Sequence, residues 1–209
     1  MLKETEEESA KGWADGPWEL GSLEKGATIS RRFPLLQGEK IRMIDDYSVS
    51  GVNDSCTINT KLDLHVIDTF VAAAKSYFEE MDACGKDVSL QAKAYDLKSA
   101  YRQIPIRNDH LNMNTSASST VRKVLWRFIA QGHCLFGATH SVYNFLCLAR
   151  MIHCISSRGA KLITTNFYDD FIFASNCVLR ESAKNCMELI FLYTGWEFAT
   201  EGKKTTSFF

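Results

Sequence analysis

Tyr168-Asp169-Asp170 interrupts what would otherwise be a single apolar, strand-forming stretch, with Leu162 to Phe167 on one side and Phe171 to Ala174 on the other. Aspartate is disfavoured in strands, and removing a carboxylate from water among apolar side chains is costly. The two arms therefore predict a tight β-hairpin that presents both carboxylates at its tip. Like charges so close raise one another's pKa unless a cation lies between them. A divalent metal is the economical explanation. An adjacent pair proves little alone, because the chain carries a second one, Asp45-Asp46, in a setting that suggests no metal role.

A third carboxylate, Asp96, ends another short strand-like segment and is followed by Leu97-Lys98-Ser99-Ala100-Tyr101. Pairing that segment with the hairpin brings the carboxylates together. An all-oxygen set without His or Cys suits Mg²⁺, which is usually held by one or two carboxylates plus substrate phosphates. Two such ions, roughly 3.5–4 Å apart, activate an attacking oxygen and stabilise a leaving pyrophosphate. On the residues alone, a structural turn remains the competing interpretation.

Around these motifs, the stretch to about Leu36 shows no clean period and is expected to be irregular with short helical pieces. Lys40 to Tyr47 alternates like a strand and leads into a polar loop through Asp54. Val66, Phe70, Ala73, Tyr77 and Met81 mark a helix, with Asp63 available as N-cap and Gly85 beyond its end. Arg107 to Thr120 reads as a polar surface loop, and strand signals resume at Val121. Val142, Phe145, Leu146, Ala149 and Ile152 form the stripe of a helix ending near Arg158-Gly159. A last helix spans roughly Leu179 to Thr194, before Gly195-Trp196.

With 209 residues, 45% of them hydrophobic and 23% charged, the chain has a globular composition. Its net charge of −1 counts against a grip on nucleic acid, although Arg31, Arg32, Lys40 and Arg42 make a short basic cluster. No apolar run reaches the length of a membrane span, and the acidic MLKETEEESA start is unlike a signal or transit peptide. The expectation is a protein of the cytoplasm or nucleus that does not enter membranes. The seven cysteines include no CxxC pair, so they read as small buried hydrophobes. His133, Cys134 and His140 lie close in sequence without a convincing metal spacing, and Cys147 and Cys154 would share one helical face in the core.

The motifs taken together resemble those of retroelement reverse transcriptases. Asp96-Leu-Lys-Ser-Ala-Tyr-Arg-Gln-Ile-Pro-Ile looks like the family's motif A, Phe167-Tyr-Asp-Asp170 its motif C, and Leu135-Phe136-Gly137 with Ser141 and Phe145 its motif B. Upstream, Lys40-Ile-Arg42 through Asn53 resembles the fingers segment that holds an incoming triphosphate. Downstream, Gly195-Trp196 with Lys203 and Lys204 is similar to motif D, which carries a proton-donating lysine. The likeness runs from about residue 31 to residue 204 in the family's order.

The resemblance implies an α+β right-hand polymerase: an antiparallel palm sheet flanked by helices, with partial fingers and no thumb. Residues 1–90 would be an N-terminal segment and partial fingers. Residues 91–209 would be palm, with a polar loop and fingers-like part around 107–132. Asp96 and Asp169 would be the main metal ligands, Asp170 the third carboxylate, and the Leu97 carbonyl a ligand of the nucleotide-bound ion. Arg42, supported by Lys40, would hold the triphosphate; Phe136 and Gly137 would floor the nascent base pair; Tyr101 would exclude a ribose 2′-hydroxyl; Lys203 or Lys204 would protonate pyrophosphate.

The implied cofactors are two Mg²⁺ ions, with Mn²⁺ as substitute, and the implied partners are an RNA or DNA template with its primer, deoxynucleotides, and another chain supplying a thumb. RNA-directed DNA polymerisation is the leading function. Motif B lacks both of the family's prolines, which leaves that turn less rigid. A catalytically impaired retroelement remnant is therefore one alternative. An RNA-dependent RNA polymerase is another, although Tyr101 and Phe145 stand where those enzymes carry 2′-OH-binding residues.

Overall fold

The computed structural model describes residues 2–199 apart from 19–20, 22, 24, 39, 60, 62–63, 65–66, 87–88 and 121–122. Its elements, in order, are α1 (Leu2–Ala10), β1 (Ala14–Trp18), β2 (Ile29–Gln37), β3 (Lys40–Asp46), α2 (Ile67–Ala83) and β4 (Leu90–Asp96). Two 3₁₀ turns follow, Ala100–Gln103 and Asn108–Met113, then β5 (Thr115–Thr120), β6 (Lys123–Gln131) and α3 (Thr139–Cys154). A π-helical turn, Ile155–Gly159, precedes β7 (Ile163–Phe167), β8 (Asp170–Asn176) and α4 (Arg180–Thr194). No helix among the described residues is long and apolar enough to cross a membrane. The chain divides into two units that interleave along the sequence: Met1–Lys61 with Tyr101–Asn144, and Leu62–Ala100 with Phe145–Phe209. A single cut near residue 90 does not describe that division.

The first unit is built on a mixed five-stranded sheet, ordered β1-β6-β5-β2-β3. All its ladders are antiparallel except β2 with β5, which run parallel through Ile29↔Thr115, Ser30↔Ser116 and Arg31↔Ala117. The polar segment expected to be a surface loop is thus the central strand. Thr115, Ser116, Ala117 and Ser118 are all buried there. The first stretch, expected to be irregular, supplies two more strands, β1 and β2.

In β2 and β5 the inward positions carry polar side chains, so the apolar alternation that announces a strand is missing. In β2, Ser30 and Arg32 point inward while Ile29 and Arg31 are exposed. Arg32 is therefore no part of a surface basic cluster. Its Nη2 donates to Glu8 Oε2 of α1 at 2.6 Å, and its Nε lies 3.8 Å from the buried Asp45 Oδ1. Arg102 donates to the other Glu8 oxygen and, at 2.7 Å, to Gln131 Oε1. Burial raises the Asp45 pKa, with the Arg32 charge opposing. Asp45 thus belongs to a structural ion network, while Asp46 accepts the Val49 amide at 3.2 Å.

The second unit carries an all-antiparallel three-stranded sheet, ordered β4-β8-β7. Tyr95 of β4 stacks on Phe173 of β8 at 5.8 Å between ring centroids, and Phe191 of α4 meets Tyr95 and Phe171 edge-on at 5.5 and 5.4 Å. Phe145, Leu146, Ala149 and Ile152 of α3 are buried, as their spacing predicts, and Val142 is half-buried. In α2 the half-buried stripe is Phe70, Ala74, Tyr77 and Met81, so Ala74 takes the place expected for Ala73. Asp63, Val66 and Val121 lie outside the described residues.

The cysteines depart from expectation too. Cys134 is buried, Cys56 and Cys186 are half-buried, and Cys84, Cys147, Cys154 and Cys177 are exposed. Cys147 and Cys154 do share a face of α3, but it lies away from the Phe145-Ala149-Ile152 stripe.

Candidate functional site

β7 and β8 form the predicted hairpin, closed by Phe167↔Asp170 with Tyr168 and Asp169 as the turn. Two-residue hairpin loops need a left-handed residue, normally glycine, asparagine or aspartate. Here Tyr168 takes that conformation, with φ 51°. A bulky residue there is a conformational outlier, and such outliers gather at functional sites. Ser99, three residues beyond Asp96, is a second, with φ 57°, and Lys161, before β7 and away from the carboxylates, is a third, also with φ 57°. Departures from ordinary backbone geometry thus follow the strand that ends in Asp96 and precede the strand that begins with Asp170.

β4 lies against β8 in a register that sets Asp96 opposite Asp170. Opposite residues of an antiparallel pair share one face, with Cβ atoms about 4.5–5.5 Å apart. The Leu97 amide donates to the Asp169 carbonyl at 3.4 Å, tying the hairpin tip to the end of β4. The Ala199 amide donates to the Asp96 carbonyl at 2.8 Å, and Leu97 bridges Phe198, so the segment after α4 closes on the same corner. Gly195, left-handed at φ 78°, caps α4 and turns the chain toward it. Asp96, Asp169 and Asp170 are all half-buried.

The donor set is all oxygen, which suits a hard cation. Among the described residues, however, no group of three His, Cys, Asp or Glu side chains is placed to hold an ion. Mg²⁺ is usually held by one or two carboxylates, with the remaining positions left to substrate oxygens and water. The Leu97 side chain is buried and its carbonyl accepts the Ala100 amide at 3.5 Å.

Lys40, Arg42, Tyr101, Phe136 and Gly137 belong to the first unit. Arg42 is exposed on β3 opposite Leu35, and the Lys40 backbone pairs with Gln37 where the β2–β3 hairpin begins its turn. Tyr101 is buried, and its ring meets the exposed Phe136 edge-on at 4.6 Å. Gly137 has φ +95°, and a Cβ there would stand 2.7 Å from the Asp45 carbonyl oxygen. The glycine is thus demanded by the backbone at the end of β3. Lys203 and Lys204 lie outside the described residues.

Sequence reasoning assigned no role to Asn53. Its Nδ2 donates to the Gly137 carbonyl at 2.9 Å and its Oδ1 accepts the Thr139 amide at 2.8 Å. The Ser141 hydroxyl accepts the Leu135 amide at 3.1 Å. These bonds hold the 135–141 turn. Nothing in the local sequence separates Asn53 from an ordinary loop asparagine.

No protein-family model matches the sequence, and no curated protein matches it. The fold does match a solved structure, the foamy viral protease-reverse transcriptase in complex with double-stranded DNA. The TM-score is 0.64 at 14% sequence identity, over 92% of this chain and 28% of that one. The chain thus spans just over a quarter of the length of that protein, and its α+β fold is that of a reverse-transcriptase region.

Proposed function

We propose that this chain is the polymerase region of an RNA-directed DNA polymerase, extending a primer with deoxynucleotides. The observation that carries the proposal is the register of β4 on β8, which sets Asp96 opposite Asp170 with Asp169 one residue away on a strained turn. Structural ion pairs do not require two like charges opposite one another in a ladder, where they are destabilising. A cation held between them would remove that cost.

Asp96, Asp169 and Asp170 would supply the carboxylate oxygens for divalent ions. Bound Mg²⁺ lowers the pKa of a primer hydroxyl and neutralises charge on phosphate. Arg42 and Lys40 are assigned to the triphosphate by the resemblance, and an exposed guanidinium fork suits phosphate oxygens. Phe136 offers an exposed ring to a base, backed by Tyr101. The relative of like fold was solved with double-stranded DNA, which supports a primer–template duplex as the partner here.

Primer extension on primed RNA and primed DNA templates tests the proposal directly. Deoxynucleotide addition should require Mg²⁺ or Mn²⁺, stop with chelator, and disappear in Asp169→Asn while far-UV circular dichroism stays unchanged. Full extension by Asp169→Asn would remove the site assignment. Binding of duplex without any extension under Mg²⁺ or Mn²⁺ would favour a nucleic-acid-binding remnant, and a preference for ribonucleotides an RNA polymerase.

A further inference from the structure

Lys161 is the backbone outlier that the carboxylate corner does not account for. Its φ of 57° is a conformation that suits glycine, yet Gly159 stands two residues away and a lysine takes the place. Outliers of this kind persist where the surroundings over-determine them. Lys161 is exposed, and its amine makes no ion pair with a described residue.

The lysine lines a cavity of about 370 Å³ within the second unit. Ala174 and Ser175 of β8 and Ala183 of α4 make its buried side, while Lys161, Leu179 and Ser182 are exposed and mark its mouth. Leu90, Leu162 and Ile163 add apolar wall. The frame is tied from three elements: Asn176 Nδ2 donates to the Tyr77 hydroxyl of α2 at 3.1 Å, and Asn176 Oδ1 accepts the Leu179 amide at 2.8 Å. Small-molecule pockets, about 300–1,000 Å³ in size, are of this kind: largely pre-formed, mostly apolar, with a few placed polar groups.

Ser175 is one such group. It is 9% exposed, and its hydroxyl has no hydrogen-bond partner among the described residues. Buried hydroxyls are normally bonded, so this one calls for a ligand atom. It shares a face of β8 with Phe171, whose ring meets Phe191 of α4, so it points toward α4, where Ala183 and Cys186 line the cavity.

Charge selects the ligand. None of the described residues lining the cavity is acidic, and Lys161 is the cation among them. The first turn of α4 starts at the same mouth and adds the positive potential of a helix N-terminus. Glu181 in that turn is shared between Arg180 at 3.9 Å and Lys184 at 3.7 Å.

We propose that this cavity binds a small amphiphile with a single negative charge, a medium-chain carboxylate. The Ser175 hydroxyl donates to the carboxylate, Lys161 reaches over it from the mouth as counter-ion, and the chain lies along Leu90, Leu162 and Ile163. At about 30 Å³ per heavy atom, the share of a liquid water, the space holds roughly a dozen such atoms, the size of a carboxylate of about eight to ten carbons.

The test is calorimetric titration of decanoate, below its micellar concentration, into the native chain. One saturable site per chain is expected, and decyltrimethylammonium, with the same tail and the opposite charge, should not compete for it. Lys161→Met keeps the apolar stem at an exposed position and should weaken binding about tenfold, the scale of one charge-assisted hydrogen bond. Ser175→Ala should weaken it severalfold with an unchanged far-UV spectrum. Bound decanoate should slow maleimide alkylation of Cys186 and leave exposed Cys84 unaffected, mapped by peptide mass spectrometry. Absence of saturable binding overturns the proposal, as do equal affinity in a folded Lys161→Met protein and equal binding of the ammonium. Binding that leaves Cys186 unprotected puts the ligand elsewhere and overturns it too. Ser175 stands five residues along β8 from Asp170. At about 3.4 Å per residue that is roughly 17 Å, so failure of the polymerase proposal leaves this one standing.

Discussion

Asp96 and Asp170 face each other across the β4–β8 ladder, the last residue of one strand against the first of the other. Their meeting is fixed by strand register and needs no ordered loop. Like charges opposite one another in a ladder oppose folding, and under the proposed cation site a bound ion would reverse the sign. Asp170→Asn should therefore melt no lower than the wild type in chelator. Added Mg²⁺ should raise the wild-type melting temperature and leave that of the variant unmoved. Primer extension by the variant should fall at least about a hundredfold, the scale of losing one preorganised electrostatic group. An equal Mg²⁺ shift in both proteins would place the ion elsewhere.

Arg32 and Asp45 show the opposite use of charge. Both side chains are buried, and removing one partner of such a pair costs about 3–5 kcal/mol. Arg32→Met should lose stability on that scale in urea unfolding, with Glu8 left facing Arg102 alone.

The raised Asp45 pKa also sets a pH dependence. The folded state holds the Asp45 proton more tightly than the unfolded chain does. Its contribution to stability is thus present below the ordinary carboxylate pKa and is lost as pH rises through that value to the raised one. Asp45→Asn should flatten the fall in the urea midpoint over that window. An unaltered pH profile in the variant would show that other carboxyls set the slope.

The second unit was legible in sequence because its strands and helices obey apolar periodicity: Phe171 and Phe173 alternate inward on β8, and Phe145, Ala149 and Ile152 recur at helical spacing on α3. The hairpin and the Asp96 strand end followed from the same signal. The first unit showed β3 and β6 but hid β2 and β5, because Ser30, Arg32 and Ser116 occupy inward positions and their hydroxyl and guanidinium groups look like surface. Asn53 was illegible for a different reason. Its partners, Gly137 and Thr139, are more than eighty residues away, and only the fold makes it a brace.

Gly137 tests that brace. A methyl group added there would meet the Asp45 carbonyl oxygen at 2.7 Å, in a backbone conformation that side chains rarely adopt. Gly137→Ala should cost about 1–3 kcal/mol through strain and overpacking. Asn53→Ala leaves the Thr139 amide without its side-chain acceptor and the Gly137 carbonyl without its donor, at about 1–3 kcal/mol. Because both act on one turn, the double variant should lose less than the sum of the single losses, measured by urea unfolding. Simple additivity would separate the two residues.

For Tyr101, packing alone and the proposed sugar selection predict different outcomes. Its ring is 5% exposed and stands edge-on to Phe136, which is 54% exposed, so one ring is buried and supports the other at the surface. Such an edge-to-face pair contributes about 0.5–1.5 kcal/mol beyond its buried area. A purely structural tyrosine predicts that Tyr101→Ala and Phe136→Ala lower the melting temperature and reduce all nucleotide addition together. A steric gate predicts more: with the ring gone, the volume needed by a ribose 2′-hydroxyl opens. Rejection of an added hydroxyl by an apolar pocket is limited to about a hundredfold, so a gain of about tenfold or more in relative ribonucleotide incorporation lies within reach of one side chain. Tyr101→Val, which keeps part of the buried volume, should show the same shift with a smaller loss of stability. The ratio of kcat/KM for ribonucleotide over deoxynucleotide is the measurement, because overall damage to the fold cancels from it. A ratio that stays fixed in both Tyr101 variants, while they still fold and extend primers, returns this residue to the core and leaves the choice of sugar to another part of the chain.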